Sequence, residues 1–437
     1  MTTPQRLERD LPAVLAELYV TGTPDYRDDL VRQIAATRQR PAWTFPERWL
    51  PMDITSPQTR VPGVPLRTIG VLALIAVLIV ATLAVYVGSR PRLPEPFGPA
   101  ANGQIAYARD GVVYVRDAPD AAPRTLISGP EVETFVQYSP LGDRLAVFRA
   151  VDGGEEAWVA NADGTDLIRI GGPWASADRV EWSPDQAYLA VASSDNGFPR
   201  IDLVATDGSG SRPLADFPAM APTFRPPDGR QILFRGQRDG RWSFYLADAA
   251  GGAPVRLDIA GEHLAGGDYD LRSPAWSPTG DRLAFDSLVA LPGSELGTDG
   301  LRIHTASVGP AGEISGLRRL EFDPRADDEL YPVFTPDGSQ IIFQQRFGPT
   351  PADPTGGVPT IDSLHIAPAD GSGPARSLGI SSEPGEGFST VVAPDGTSLI
   401  VRLFAEGEDW LVDPVSGTAT PTDFASTFGA TWQRRGR

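Results

Sequence analysis

Only three histidines occur in the 437 residues, His263, His304 and His365, and there is no cysteine. Without thiols there is no disulfide, no Cys-ligated zinc, no thiolate nucleophile and no lipid-modified N-terminal cysteine. No histidine has a second His or a compact carboxylate set beside it, so each is read as a surface or strand-packing residue. GxSxG, HExxH, the P-loop and CxxC are missing from the sequence. Asp163-Gly164-Thr165-Asp166 and Asp207-Gly208 resemble calcium loops, but Gly172 stands where an EF-hand needs Glu, so they are read as turns. The remaining chemistry is that of binding. Tyr and Arg are the residue types that most often dominate interfaces. His263, Tyr269, Arg272, Glu329, Tyr331 and Arg346 form the candidate binding set. Asp268, Asp270, Asp327, Asp328 and Glu329 are read as a solvated acidic rim. No metal and no cofactor is expected.

Composition indicates what must position such residues. The chain holds 46 Gly and 43 Pro with 41 % hydrophobic content and nine Trp. So many breakers disfavour a helical bundle, and the apolar content disfavours disorder. Short strands and turns suit both. All 38 basic residues are Arg, read as the codon bias of a GC-rich genome, and the net charge of -18 argues against nucleic-acid binding.

Ile69 to Val87 is a 19-residue run without a charge, in which 12 residues are Leu, Ile or Val. At ~1.5 Å per residue a helix of this length spans roughly 28 Å, one hydrocarbon core. A single membrane span over 68–88 is expected. Three Arg precede it closely (Arg48, Arg60, Arg67) and two follow (Arg90, Arg92), which favours a cytoplasmic N-terminus. Residues 98–437 hold 27 Arg and 47 acids, hence -20, and are expected outside the cytoplasm. The Pro-rich segment 89–102 is expected to be an extended stalk.

Residues 103–437 repeat themselves. YSPLGDRLAVF, WSPDQAYLAVA, FRPPDGRQILF, WSPTGDRLAF, FTPDGSQIIF and VAPDGTSLIV begin at Tyr138, Trp182, Phe224, Trp276, Phe334 and Val392. An aromatic closes one strand, Pro-Asp-Gly turns the chain, and alternating apolar residues form a second strand with one face buried. Pro222, Pro274 and Pro332 precede three of the aromatics and are read as strand starts. A third and a short fourth strand follow each unit, which makes a four-stranded propeller blade. Six such units, plus FGATWQ at the C-terminus completing IAYAR and VVYVR, predict seven blades, with six as the alternative. Trp432 would then sit in the innermost strand of the first blade.

The repeat resembles the WD40-like PD40 repeat of the TolB-like β-propellers. That resemblance implies an all-β propeller from a family of binding and scaffolding domains, some fused to peptidases; the α/β-hydrolase partner of those peptidases has no counterpart here. Strand direction places the Pro-Asp-Gly turns on one face. The long loops 258–273, 286–300, 322–331 and 344–360 fall on the other face, on blades four to six, with the candidate binding set.

Residues 1–66 are expected to form a cytoplasmic head. Leu7, Leu11, Leu15 and Leu18 lie on one helical face, and Thr23-Pro24-Asp25 starts a second helix. Trp43, Phe45 and Trp49 stand among prolines as a docking strip. The layout and the RQRPAWTFPERWLP segment resemble the heads of anti-sigma-like membrane regulators, which implies a sigma factor as partner. The head has none of the His and Cys of the zinc-containing class. The expected function is that of a single-pass membrane protein whose propeller binds a protein or small envelope ligand. The alternatives are a transcriptional regulator acting through the head and an enzyme acting on envelope carbohydrate or peptide.

Overall fold

In the computed structural model the described residues are 66–88, 93–195, 197–259, 271–289, 300–320, 322, 326–347, 361–382, 387–404 and 406–436. The head, with Trp43, Phe45 and Trp49, lies outside them. So do most of the long loops, with His263 and Tyr269. Contacts divide the chain into two units at Ser89/Arg90.

The first unit contains helix α1 (Leu66–Gly88, 23 residues). Val71, Leu72, Leu74, Ile75, Val77, Leu78, Ile79 and Val80 are all exposed on it. Among the described residues, no helix is long and apolar enough to cross a membrane.

The second unit is a ring of seven four-stranded antiparallel sheets, with strands β1 to β28 in chain order. The first blade is composite. Strand β28 (Ala430–Arg435) pairs with β1 (Ala101–Arg109), followed by β2 (Val112–Arg116) and β3 (Arg124–Ile127). The register sets Trp432 opposite Ile105. The other six blades take their four strands in sequence from 132–174, 177–213, 219–256, 272–319, 328–382 and 388–421. The seven-bladed reading holds and the six-bladed alternative falls.

One expectation needs correction. The second strand of a blade buries both faces, because each blade is sandwiched between two others. In β9 (Tyr188–Asp195), Leu189 and Val191 pack against the preceding blade while Ala190 and Ala192 pack against the following one. This is the two-residue period of a strand read from both sides. Seven buried clusters result, one at each blade–blade junction. The closing aromatics Tyr138, Trp182, Phe224, Trp276, Phe334 and Trp432 are all buried there.

The repeat's small residue has a definite task. Its hydroxyl accepts the first amide of the second strand: Arg144 N donates to Ser139 Oγ (3.1 Å), Tyr188 N to Ser183 Oγ (2.9 Å) and Gln340 N to Thr335 Oγ1 (3.1 Å). The turn Asp caps the same loop. Asp185 Oδ1 accepts the amide of Ala187 at 3.0 Å and Asp395 Oδ1 that of Thr397 at 2.9 Å. Gly142 must be glycine: its φ is +74° and a Cβ there would meet the Arg434 carbonyl oxygen at 2.0 Å. Gln186 takes the same left-handed conformation (φ 61°) without being glycine.

Candidate binding site in the propeller channel

The inner strands line the channel, and three of them carry the same irregularity. Strands β12 (Ala219–Phe224), β16 (Arg272–Trp276) and β20 (Asp328–Phe334) shift register at Met220/Thr223, Arg272/Ala275 and Leu330/Val333. At each shift a non-glycine residue has positive φ: Ala221 (51°), Ser273 (46°) and Tyr331 (55°). Each directly precedes Pro222, Pro274 or Pro332. These prolines therefore mark bulges inside the strand, not strand starts. A bulge re-aims a side chain, and left-handed backbone at a bulky residue carries strain of order 1–3 kcal/mol. Tyr331 stays 53 % exposed, in the wall of the channel.

The predicted set is thus divided. Tyr331 belongs to the channel, and its backbone amide donates to Asp286 Oδ1 at 3.3 Å. Asp286 lies in β17 (Arg282–Val289), in register with Arg272. It is fully buried, and burial pushes its carboxyl up to about 6 against the opposing pull of Ser273, the Tyr331 amide and Arg272. Glu329 is a structural residue. It is buried, its Oε2 accepts the amide of Ile303 at 3.3 Å, and burial raises its carboxyl to about 7. Arg346 is committed as well: its Nε and Nη2 donate to Asp362 at 2.8 and 3.1 Å, and Nη1 approaches Asp328 at 3.6 Å. The histidines behave as expected where they are described. His304 is buried and stacked on Phe285 at 5.5 Å, and His365 Nε2 shares a hydrogen bond with Ser363 Oγ at 2.9 Å.

Among the described residues, two cavities border the inner strands. That in the Pro-Asp-Gly half has a volume of about 310 Å³. Its lining includes Glu181, Tyr331, Arg434 and, from the segment before β1, Pro96, Phe97 and Gly98. The second half of the expected stalk is therefore docked on the propeller. Arg434 Nη2 holds the carbonyls of Glu95 (3.0 Å) and Gly98 (2.6 Å), and Ala100 N donates to Pro394 O at 2.9 Å.

The second cavity has a volume of about 460 Å³. Phe135, Phe148, Val180, Phe404 and Phe428 supply its apolar wall, and Glu155, Arg179, Ser176 and Ser389 its polar groups. Ser176, Ala177 and Ser389 stand at the starts of first strands and Phe404 just past the end of a second strand. These positions are on the long-loop face. Arg179 borders both cavities. Strand direction assigns binding to the long-loop face on blades four to six; this cavity opens on that same face, but on blades seven and one to three. The loops there are short, Phe404 belongs to no repeat motif, and Phe428 reads only as part of the closing segment FGATWQ.

No family model matches the chain, and no curated protein matches it. Solved structures match the fold. The tricorn protease is similar at 12 % identity with a TM-score of 0.53, over 77 % of this chain and 35 % of that one. An oligogalacturonate lyase from Vibrio parahaemolyticus is similar at 12 % identity with a TM-score of 0.50, over 74 % of this chain and 93 % of that one. TolB from Acinetobacter baumannii is similar at 16 % identity with a TM-score of 0.45, over 77 % and 81 %. This chain spans about a third of the tricorn protease. What these similarities establish is a β-propeller fold.

Proposed function

We propose that this chain is a membrane-anchored binding protein whose extracytoplasmic propeller admits a ligand through the long-loop mouth of its channel and performs no chemistry of its own. The observation that carries this reading is the inequality of the two mouths. On the Pro-Asp-Gly face the chain's own Pro96-Phe97-Gly98 segment is fixed in the wall of the cavity by Arg434. On the other face the exposed aromatics Phe404 (41 %) and Phe428 (51 %) border a cavity with no such cover from this segment. Exposed aromatics around a concave site are a feature of binding surfaces. The anchor is supported by the uncharged run Ile69–Val87 and by the exposed apolar side chains of α1. The sigma-factor reading of the head rests on sequence layout alone.

A photo-crosslinking residue placed at Phe404 of the full-length protein, in native envelopes, tests the proposal. A defined adduct at Phe404 is expected, with none from the same group at Asp281. Adducts at Asp281 alone would contradict it.

A further inference from the structure

We infer that the cavity at the long-loop mouth is a site for a small apolar monocarboxylate, whose hydrocarbon body packs on Phe135, Phe404 and Phe428 and whose carboxylate pairs with Arg179. The inference rests on the binding reading above and names the ligand class for that same face.

Volume comes first. About 460 Å³ suits a small organic molecule and excludes a folded partner. The wall is apolar and aromatic, with Phe135 and Phe148 in edge-to-face contact at 6.0 Å. Such a wall favours a hydrocarbon or aromatic body.

The polar groups decide the other end of the ligand. Glu155 is already satisfied, with Oε1 accepting Thr134 Oγ1 at 2.8 Å and Oε2 accepting the amide of Ala177 at 3.1 Å. Arg179 is exposed in the channel and, among the described residues, makes no hydrogen bond or ion pair. Its charged neighbour two positions along the strand, Glu181, borders the other cavity, and burial pushes the Glu181 carboxyl up against the opposing pull of the Arg179 charge. A guanidinium with all its donors available matches a carboxylate in geometry and charge. The -20 charge of residues 98–437 disfavours polyanions, so the single guanidinium of Arg179 is matched with one carboxylate and no more.

The test uses the full-length protein in detergent, 3-phenylpropionate as probe and 3-phenylpropanamide as its uncharged match. Calorimetry should show the acid binding at least tenfold more tightly than the amide. Arg179→Gln should abolish that preference with little change in melting temperature, because among the described residues the side chain makes no hydrogen bond or ion pair. Phe404→Ala should weaken both probes alike. Equal affinity for acid and amide in the unmodified protein, or a preference that survives Arg179→Gln, would overturn the inference. If neither probe binds while the crosslinker at Phe404 still captures its envelope ligand, the ligand class is wrong and the binding reading stands. If the crosslinker is empty too, both fall.

Discussion

Closure of the ring by the last strand can be tested at one side chain. Trp432 is 7 % exposed and packs with Ile105, Tyr107, Ile400 and Phe424, so it joins blade seven to blade one as well as β28 to β1. Truncating a buried Trp to Ala costs about 3–5 kcal/mol, from lost burial and the cavity left behind. For roughly 340 residues the unfolding entropy is about 0.7 kcal/mol/K, at ~2.1 cal/mol/K per residue. Trp432→Ala should therefore lower the melting temperature by about 4–7 °C, read by circular dichroism on the full-length protein. Trp432→Phe provides the control. Among the described residues the indole Nε1 has no hydrogen-bond partner, so Phe keeps the packing and loses no bond, and the shift should be less than half as large. An unchanged melting curve in Trp432→Ala would refute the closure argument.

The remaining predictions concern backbone, charge and topology. Gly142→Ala drives a Cβ into the Arg434 carbonyl at positive φ and should cost roughly 3–5 kcal/mol, whereas Gly153→Ala, with open space around it, should cost only about 1–2 kcal/mol; denaturant midpoints separate the two. Asp286 and Glu329 titrate at about 6 and about 7 in the folded state, above their unfolded values. Between about pH 4 and 7 the folded state thus binds more protons than the unfolded one, and these two groups make stability fall as pH rises. Asp286→Asn should flatten the lower part of that slope and raise stability at pH 7 by up to about 2–3 kcal/mol, measured as unfolding midpoints against pH. Protease added to intact cells should remove the propeller and leave residues 1–66 protected; a protected propeller would reverse the proposed orientation.

Much of the fold was legible because a propeller repeats its physics. The aromatic, Ser or Thr, Pro, Asp and Gly recur in most units with the same local tasks, and even the departure at Gln186 keeps the left-handed conformation that the turn requires. The burial of both faces of the second strand was also present in the sequence, since LAVF and QILF are nearly continuous apolar runs. Reading them as one-sided overlooked the neighbouring blades. The site was less legible because it is made across blades. Pro274 and Pro332 read as strand starts in the sequence; only the pairing register shows the bulges, and with them that Ser273 and Tyr331 turn about Asp286. Glu329 and Arg346 looked available as charged residues near long loops. Burial and the partner Asp362, distant in sequence, commit them to the blades. Arg179, Phe404 and Phe428 meet only because the ring closes.

The claim that a ligand enters by the long-loop mouth is tested most directly by amide hydrogen exchange on the full-length protein in lipid nanodiscs, with and without an extract of the native envelope. The account predicts slowed exchange in residues 176–180, 402–404 and 428–430, which surround the aromatic cavity. Slowed exchange confined to the Pro-Asp-Gly turns at 139–143, 277–281 and 335–338 would contradict it.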